Sequence, residues 1–158
     1  MEDNAKKEAA KRAFDTFDKA LSLTRYPVRR KQPDKLLFNC VTKEDLMPFA
    51  FYVSVDASRC IVRCTGYPPF RFREDMIVDG CKAACFLNYN IFNGAFCVEL
   101  RNGYISFVIN ESYGECDISL EAAIEMLNTL VATMNLHKDK LLYLARGSIT
   151  FEEFLEQK

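Results

Sequence analysis

The chain has 158 residues, 49% apolar and 27% charged, with a formal net charge of −1, which suits one domain able to bury a core without metal or disulfide help. Near-neutrality leaves no electrostatic footprint for nucleic acid, and no apolar run approaches the ~18 residues that span a bilayer. The opening Met1-Glu2-Asp3-Asn4 continues charged, without the apolar stretch of a signal peptide, so a cytoplasmic protein is expected.

Residues 2–23 read as an amphipathic helix. Ala9, Ala13, Phe14, Phe17, Ala20 and Leu21 recur at three- and four-residue steps, while Lys7, Lys11, Arg12 and Asp15 mark the wet face. Residues 24–35 follow as a solvated basic linker, with Pro27 and Pro33 breaking structure and Arg25, Arg29, Arg30, Lys31 and Lys35 supplying charge. Three strands are expected at 36–41, 49–56 and 59–65, the last two joined by a turn at Asp56-Ala57-Ser58. In the middle one Phe49, Phe51, Val53 and Val55 alternate with Ala50, Tyr52 and Ser54. Tyr67-Pro68-Pro69 ends the meander, because proline cannot donate to a ladder. A second helix is expected at 73–88, with Ile77, Cys81, Ala84 and Cys85 on one face. Gly80 within it costs about 1 kcal/mol relative to alanine.

The segment 94–110 reads as a hairpin. Asn102-Gly103 fits a two-residue type I′ turn, whose twist matches that of paired strands. That register sets Arg101 opposite Tyr104, Glu99 opposite Ser106 and Cys97 opposite Val108. Phe96, Val98, Leu100, Ile105, Phe107 and Ile109 then share an apolar face, with Cys97, Glu99, Arg101, Tyr104, Ser106 and Val108 on the other. After a loop at 111–117, Ser119 is the expected N-cap of a long helix, with Glu121 near its positive end. Leu120, Ile124, Leu127, Val131 and Met134 form its stripe, which continues or breaks near 135–138, and Gly147 is the stop. Thr150 and Glu153 make a capping-box pattern for a short last helix with Phe151, Phe154 and Leu155. The order α-β-β-β-α-β-β-α plus a terminal helix predicts an α+β domain. About five antiparallel strands would carry helices on one face, with 1–35 as helix and linker and 36–158 as the core.

Little in the chain points to catalysis. The one histidine, His137, falls at the possible helix break and reads as a solvent-exposed helix-end residue. Glu74, Asp75 and Asp79 cluster toward the start of the second helix, whose dipole explains at least the first two without a metal or an acid/base pair. Arg146-Gly147-Ser148 lacks the strand and glycines of a phosphate loop, so no cofactor is expected. Seven cysteines are an odd number, read as buried free thiols of a reducing compartment. Cys60 with Cys64 and Cys81 with Cys85 keep open an alternative, a small-ligand or zinc-binding regulatory domain, although zinc pairs usually stand closer. Around Tyr67-Pro68-Pro69-Phe70, with Phe72, the aromatic cluster reads as closing the core beneath the second helix, the other reading being a contact surface.

Phe86-Leu87-Asn88 at a helix end, Gly94-Ala95-Phe96 entering a strand pair, Ser119-Leu120-Glu121 and the closing segment around Phe151 follow in an order that resembles the YbjN family. The fold of that family is similar to type III secretion chaperones. The resemblance covers roughly 36–155 and implies homodimers that bind a segment of another protein on exposed sheet and helix surfaces. It implies no catalytic residues. The expectation is therefore a non-enzymatic protein-binding module, a chaperone-like or regulatory adaptor, without nucleic-acid or membrane partners. Its expected partner surface is the outward hairpin face with Cys97, Tyr104 and Val108.

Overall fold

Period-3.6 burial drives the first element. In the computed structural model, which describes residues 3–42, 46–114 and 116–156, α1 (Asp3–Thr24) buries Ala10, Ala13, Phe14, Phe17, Ala20 and Leu21 on a single stripe. Glu2, at the expected start, lies outside the described residues. Lys31 reaches back to Asp18 at 2.7 Å while lying over the stacked rings of Phe14 and Phe38.

The expected basic linker is a strand. β1 (Val28–Gln32) pairs antiparallel with β2 (Leu37–Val41), with an irregularity between Val28 and Arg30. Four of its five residues are exposed, so no apolar alternation marks it. Its charges keep an outer edge from pairing with other chains. A one-turn 3-10 helix (Pro33–Lys35) makes the turn, and Leu36 closes it in a left-handed conformation at φ 48°.

β3 (Ala50–Asp56) and β4 (Ile61–Tyr67) complete the meander. The turn between them is held by Asp56, whose carboxylate accepts from the Ser58 and Arg59 backbone N–H groups at 2.9 and 3.0 Å. Buried Tyr113 braces the same turn, donating its hydroxyl to the Asp56 carbonyl at 3.0 Å. β5 (Ala95–Val98) and β6 (Ile105–Ser112) then join, and β6 slots between β5 and β4. The sheet is antiparallel with six strands in the order β1-β2-β3-β4-β6-β5. The α+β class with helices on one face matches the expectation; the strand added is β1.

Cys40, Phe51, Val53, Cys64, Phe96, Phe107 and Ile109 point to the covered face. Across it runs α3 (Leu120–Ala145), one helix that continues through 135–138, the first of the two courses left open there. Ser119 caps it, accepting from the Ala122 N–H at 3.1 Å. At its far end Gly147 sits at φ 69°, its N–H on the Leu144 carbonyl and that of Ser148 on the Tyr143 carbonyl, both at 2.9 Å, which is a Schellman stop. Lys138, in that stretch, is buried. Its ammonium donates to the Met47 carbonyl and the Asn135 side chain, both at 2.9 Å.

α2 (Ile77–Asn88) follows a one-turn 3-10 helix (Glu74–Met76), so the expected single helix is two. Asp75 pairs with Arg73, and Asp79 with Lys82, which accounts for these carboxylates without a metal. α4 (Phe151–Glu156) has the expected capping box: the Thr150 N–H donates to Glu153 Oε2 at 2.7 Å, and the Glu153 N–H to Thr150 Oγ1 at 3.2 Å.

Candidate interaction surfaces

The hairpin register differs from the one expected. Cys97 pairs with Ser106 and Phe96 with Phe107. Asn102-Gly103 is not a two-residue turn. The Glu99 N–H donates to the Tyr104 carbonyl and the Gly103 N–H to the Glu99 carbonyl, each at 2.8 Å, so the loop is two residues longer. Gly103 stands at φ 73°, and a Cβ there would lie 2.3 Å from the Phe72 carbonyl oxygen. The slip is by two, which keeps every strand residue on its face. Leu100 is the exception: it leaves the apolar face for the exposed loop.

Of the expected partner surface, Cys97 is exposed and Tyr104 is 50% exposed, whereas Val108 is 6% exposed. Val108 lies on an interior strand, flanked by Thr65 on β4 and Ala95 on β5. A hairpin read alone presents both edges to water; the insertion of β6 beside β4 covers one of them.

The face that carries Cys97 and Tyr104 is bare of helices. One row across it reads Arg30, Asn39, Tyr52, Thr65, Val108, Ala95. Beside it lie Arg63, opposite Asn110, and Tyr67, whose ring meets that of Tyr52 edge-on at 5.9 Å. Arg71 bridges to Tyr104, its guanidinium 5.9 Å from the ring centre. From the aromatic cluster, Tyr67 reaches this face, while Phe72 turns inward and is buried against Gly80, as the core reading expects.

On the helical side a second surface opens, an apolar groove of about 930 Å³. One wall is a stripe of α3: Thr129, Thr133, Leu136, His137, Lys140 and Tyr143. The stripe is about 21 Å long at a rise of ~1.5 Å per residue. The opposite wall is the α2 end and the loop after it, with Phe86, Leu87, Ile91 and Phe92, and Leu155 of α4 closes one end. Phe92 is fully exposed and Leu136 is 76% exposed. Sequence reasoning placed Phe86 only within a helix end and gave Phe92 and Leu136 no role. An isolated exposed leucine carries no signal; their convergence comes from the fold.

His137 belongs to this wall. It is half-buried in mid-helix, not at an exposed helix end, and its ring meets Phe96 edge-on at 5.7 Å. Burial, and then the charge of Lys140, hold its pKa below the usual histidine value. All seven thiols are free. Cys40 and Cys64 face the core, where burial pushes Cys40 up to about 12 and Cys64 higher still. Among the described residues no three of His, Cys, Asp and Glu converge as metal ligands, and no helix is long and apolar enough to cross a membrane.

Compared with protein-family models, with curated proteins and with solved structures, the chain finds no match.

Proposed function

We propose that this chain is a non-enzymatic, cytoplasmic protein-binding module, a chaperone-like or regulatory adaptor of the YbjN type, that acts as a homodimer. The groove carries the reading. Large apolar side chains left in water beside a completed core mark a surface that another protein covers. A two-fold dimer needs a patch that complements itself. Here the projecting Phe92 stands on the rim of the hollow that Phe86, Leu136 and Tyr143 line, so two copies related by a two-fold axis place each Phe92 in the other's groove. The seven free thiols support a reducing compartment, and the half-buried His137, packed on Phe96, is poorly placed to shuttle protons.

Light scattering on the purified protein tests the assembly. Twice the 18.2 kDa chain mass is expected, falling to one chain mass in Leu136→Asp. A strict monomer at high concentration, or a dimer that survives Leu136→Asp with unchanged affinity, ends the groove reading.

A further inference from the structure

The bare face of the sheet is biased in charge. Arg30, Arg63 and Arg71 project from it or from its margin, and the carboxylate in their rows is that of Glu99, at the hairpin corner beyond Tyr104. The chain as a whole is slightly acidic, whereas this face sets the three arginines against Glu99 and, at the end of β3, Asp56, which is already paired with Arg59. Among the described residues the ion pairs are Arg12–Asp117, Lys31–Asp18, Arg59–Asp56, Arg73–Asp75 and Lys82–Asp79, and of these only Asp56 stands at the margin of the bare face. None of the three face arginines is in such a pair. An antiparallel sheet with one wet face needs polar residues there, but it does not need one sign of charge.

We propose that this face binds an acidic segment of a partner protein, with Arg63 and Arg71 pairing its carboxylates and Tyr67 and Tyr104 covering its side chains. The inference rests on the reading of the chain as a protein-binding module and names the chemistry of the partner. Arginine suits the task, since its planar fork accepts a carboxylate through two hydrogen bonds. Spacing chooses the class of partner. Arg63 stands opposite Asn110 and Arg71 opposite Tyr104 on the same strand, about 20 Å apart at the rise of a β-strand. Between them lie Thr65 and Val108, both buried, and half-buried Ala95, a shallow floor of small side chains with no fork of donors for base edges. A nucleic acid carries a charge at every nucleotide and is tracked by a dense cationic groove. Widely spaced cations on a mostly neutral, aromatic-flanked face match a polypeptide with carboxylates several residues apart.

Fluorescence anisotropy with a labelled Gly/Ser peptide carrying glutamates about six residues apart on the full chain, with oligothymidylate of equal charge as competitor, tests this. Saturable binding is expected that weakens on adding salt and by at least about tenfold in Arg63→Ser/Arg71→Ser. Circular dichroism reads the fold of that variant, and Arg63→Glu alone serves if the pair does not fold. Absent binding, or binding untouched by these variants, overturns the proposal. Tighter binding of oligothymidylate overturns it in favour of a nucleic-acid surface. The Leu136→Asp protein keeps peptide binding per chain under this proposal, so failure of the dimer reading and failure of the acidic-segment reading are separate results.

Discussion

The side-chain amide of Asn88 pairs with both backbone groups of Phe96. Its Nδ2 donates to the Phe96 carbonyl at 3.0 Å, and its Oδ1 accepts from the Phe96 N–H at 2.7 Å. The last residue of α2 thus stands where a seventh strand would lie and occupies the hydrogen-bonding groups of Phe96 on edge strand β5. Asn88→Leu removes both bonds at a part-buried site and is expected to cost about 1–3 kcal/mol. Urea unfolding measures the loss, and aggregation on standing reads the reopened edge.

Gly80 gives a substitution whose sign runs against helix propensity. In an open helix Gly80→Ala would gain about 1 kcal/mol. Here the added Cβ would lie 2.9 Å from several atoms of the Phe72 ring, which is buried and cannot swing away. A net destabilisation of about 1–3 kcal/mol is expected from overpacking. An unchanged or raised thermal midpoint would mean that α2 yields at this contact.

His137 sets a pH dependence. Its folded pKa is depressed by burial and then by Lys140, so once the pH drops below the ordinary histidine value of about 6.5 the unfolded chain binds more protons than the folded one. The contribution of the neutral ring is present above that value and is lost as the pH falls toward the folded pKa. Urea midpoints should decline between neutral pH and about pH 5, with a shallower decline in His137→Gln. An equal slope in both proteins assigns the effect to other groups.

The thiols should divide by position. Cys85, Cys97 and Cys116 are exposed, whereas Cys40, Cys60 and Cys64 are buried, and a thiol held near 12 presents almost no thiolate to an alkylating reagent. Native-state iodoacetamide labelling followed by peptide mass spectrometry should mark the first group and spare the second until denaturant is added. Labelling of Cys64 in the native protein would point to frequent opening of the sheet's covered face.

Local signals were legible in the sequence where one residue determines one backbone event. Ser119 caps α3, Gly147 ends it, and Thr150 with Glu153 opens α4 because each supplies a hydrogen bond or a conformation that its own neighbours need. Pairings that depend on distant strands were not legible. β1 is held by β2 and carries no apolar pattern, and Val108 is buried because β4, some forty residues earlier in the chain, lies beside it through Thr65. Asn102-Gly103 pointed to a tighter turn than forms, since the approach of the Phe72 backbone, which donates its N–H to the Gly103 carbonyl at 2.8 Å, fixes the loop from outside the hairpin. The groove was hidden for a similar reason: Phe92 and Leu136 sit far apart in the chain and share no period.

The partnership of α1 with α3 bears on the order in which the chain can fold. The two helices pack together, and Arg12 of α1 grips Asp117, three residues before α3 begins, through both carboxylate oxygens, at 3.1 and 3.0 Å, across 105 residues of sequence. β1 to β4, by contrast, pair with one another strictly in succession, as a run of local hairpins, before β4 takes β6 as its second neighbour. During synthesis that meander can assemble while α3 is still inside the ribosome, with α1 laid on it through Phe14 on Phe38 and through β3, and the side of its stripe that meets α3 still uncovered. Docking α3 against α1 closes a loop of about a hundred residues, so the part of the α1 stripe that α3 covers stays in water until α3 emerges.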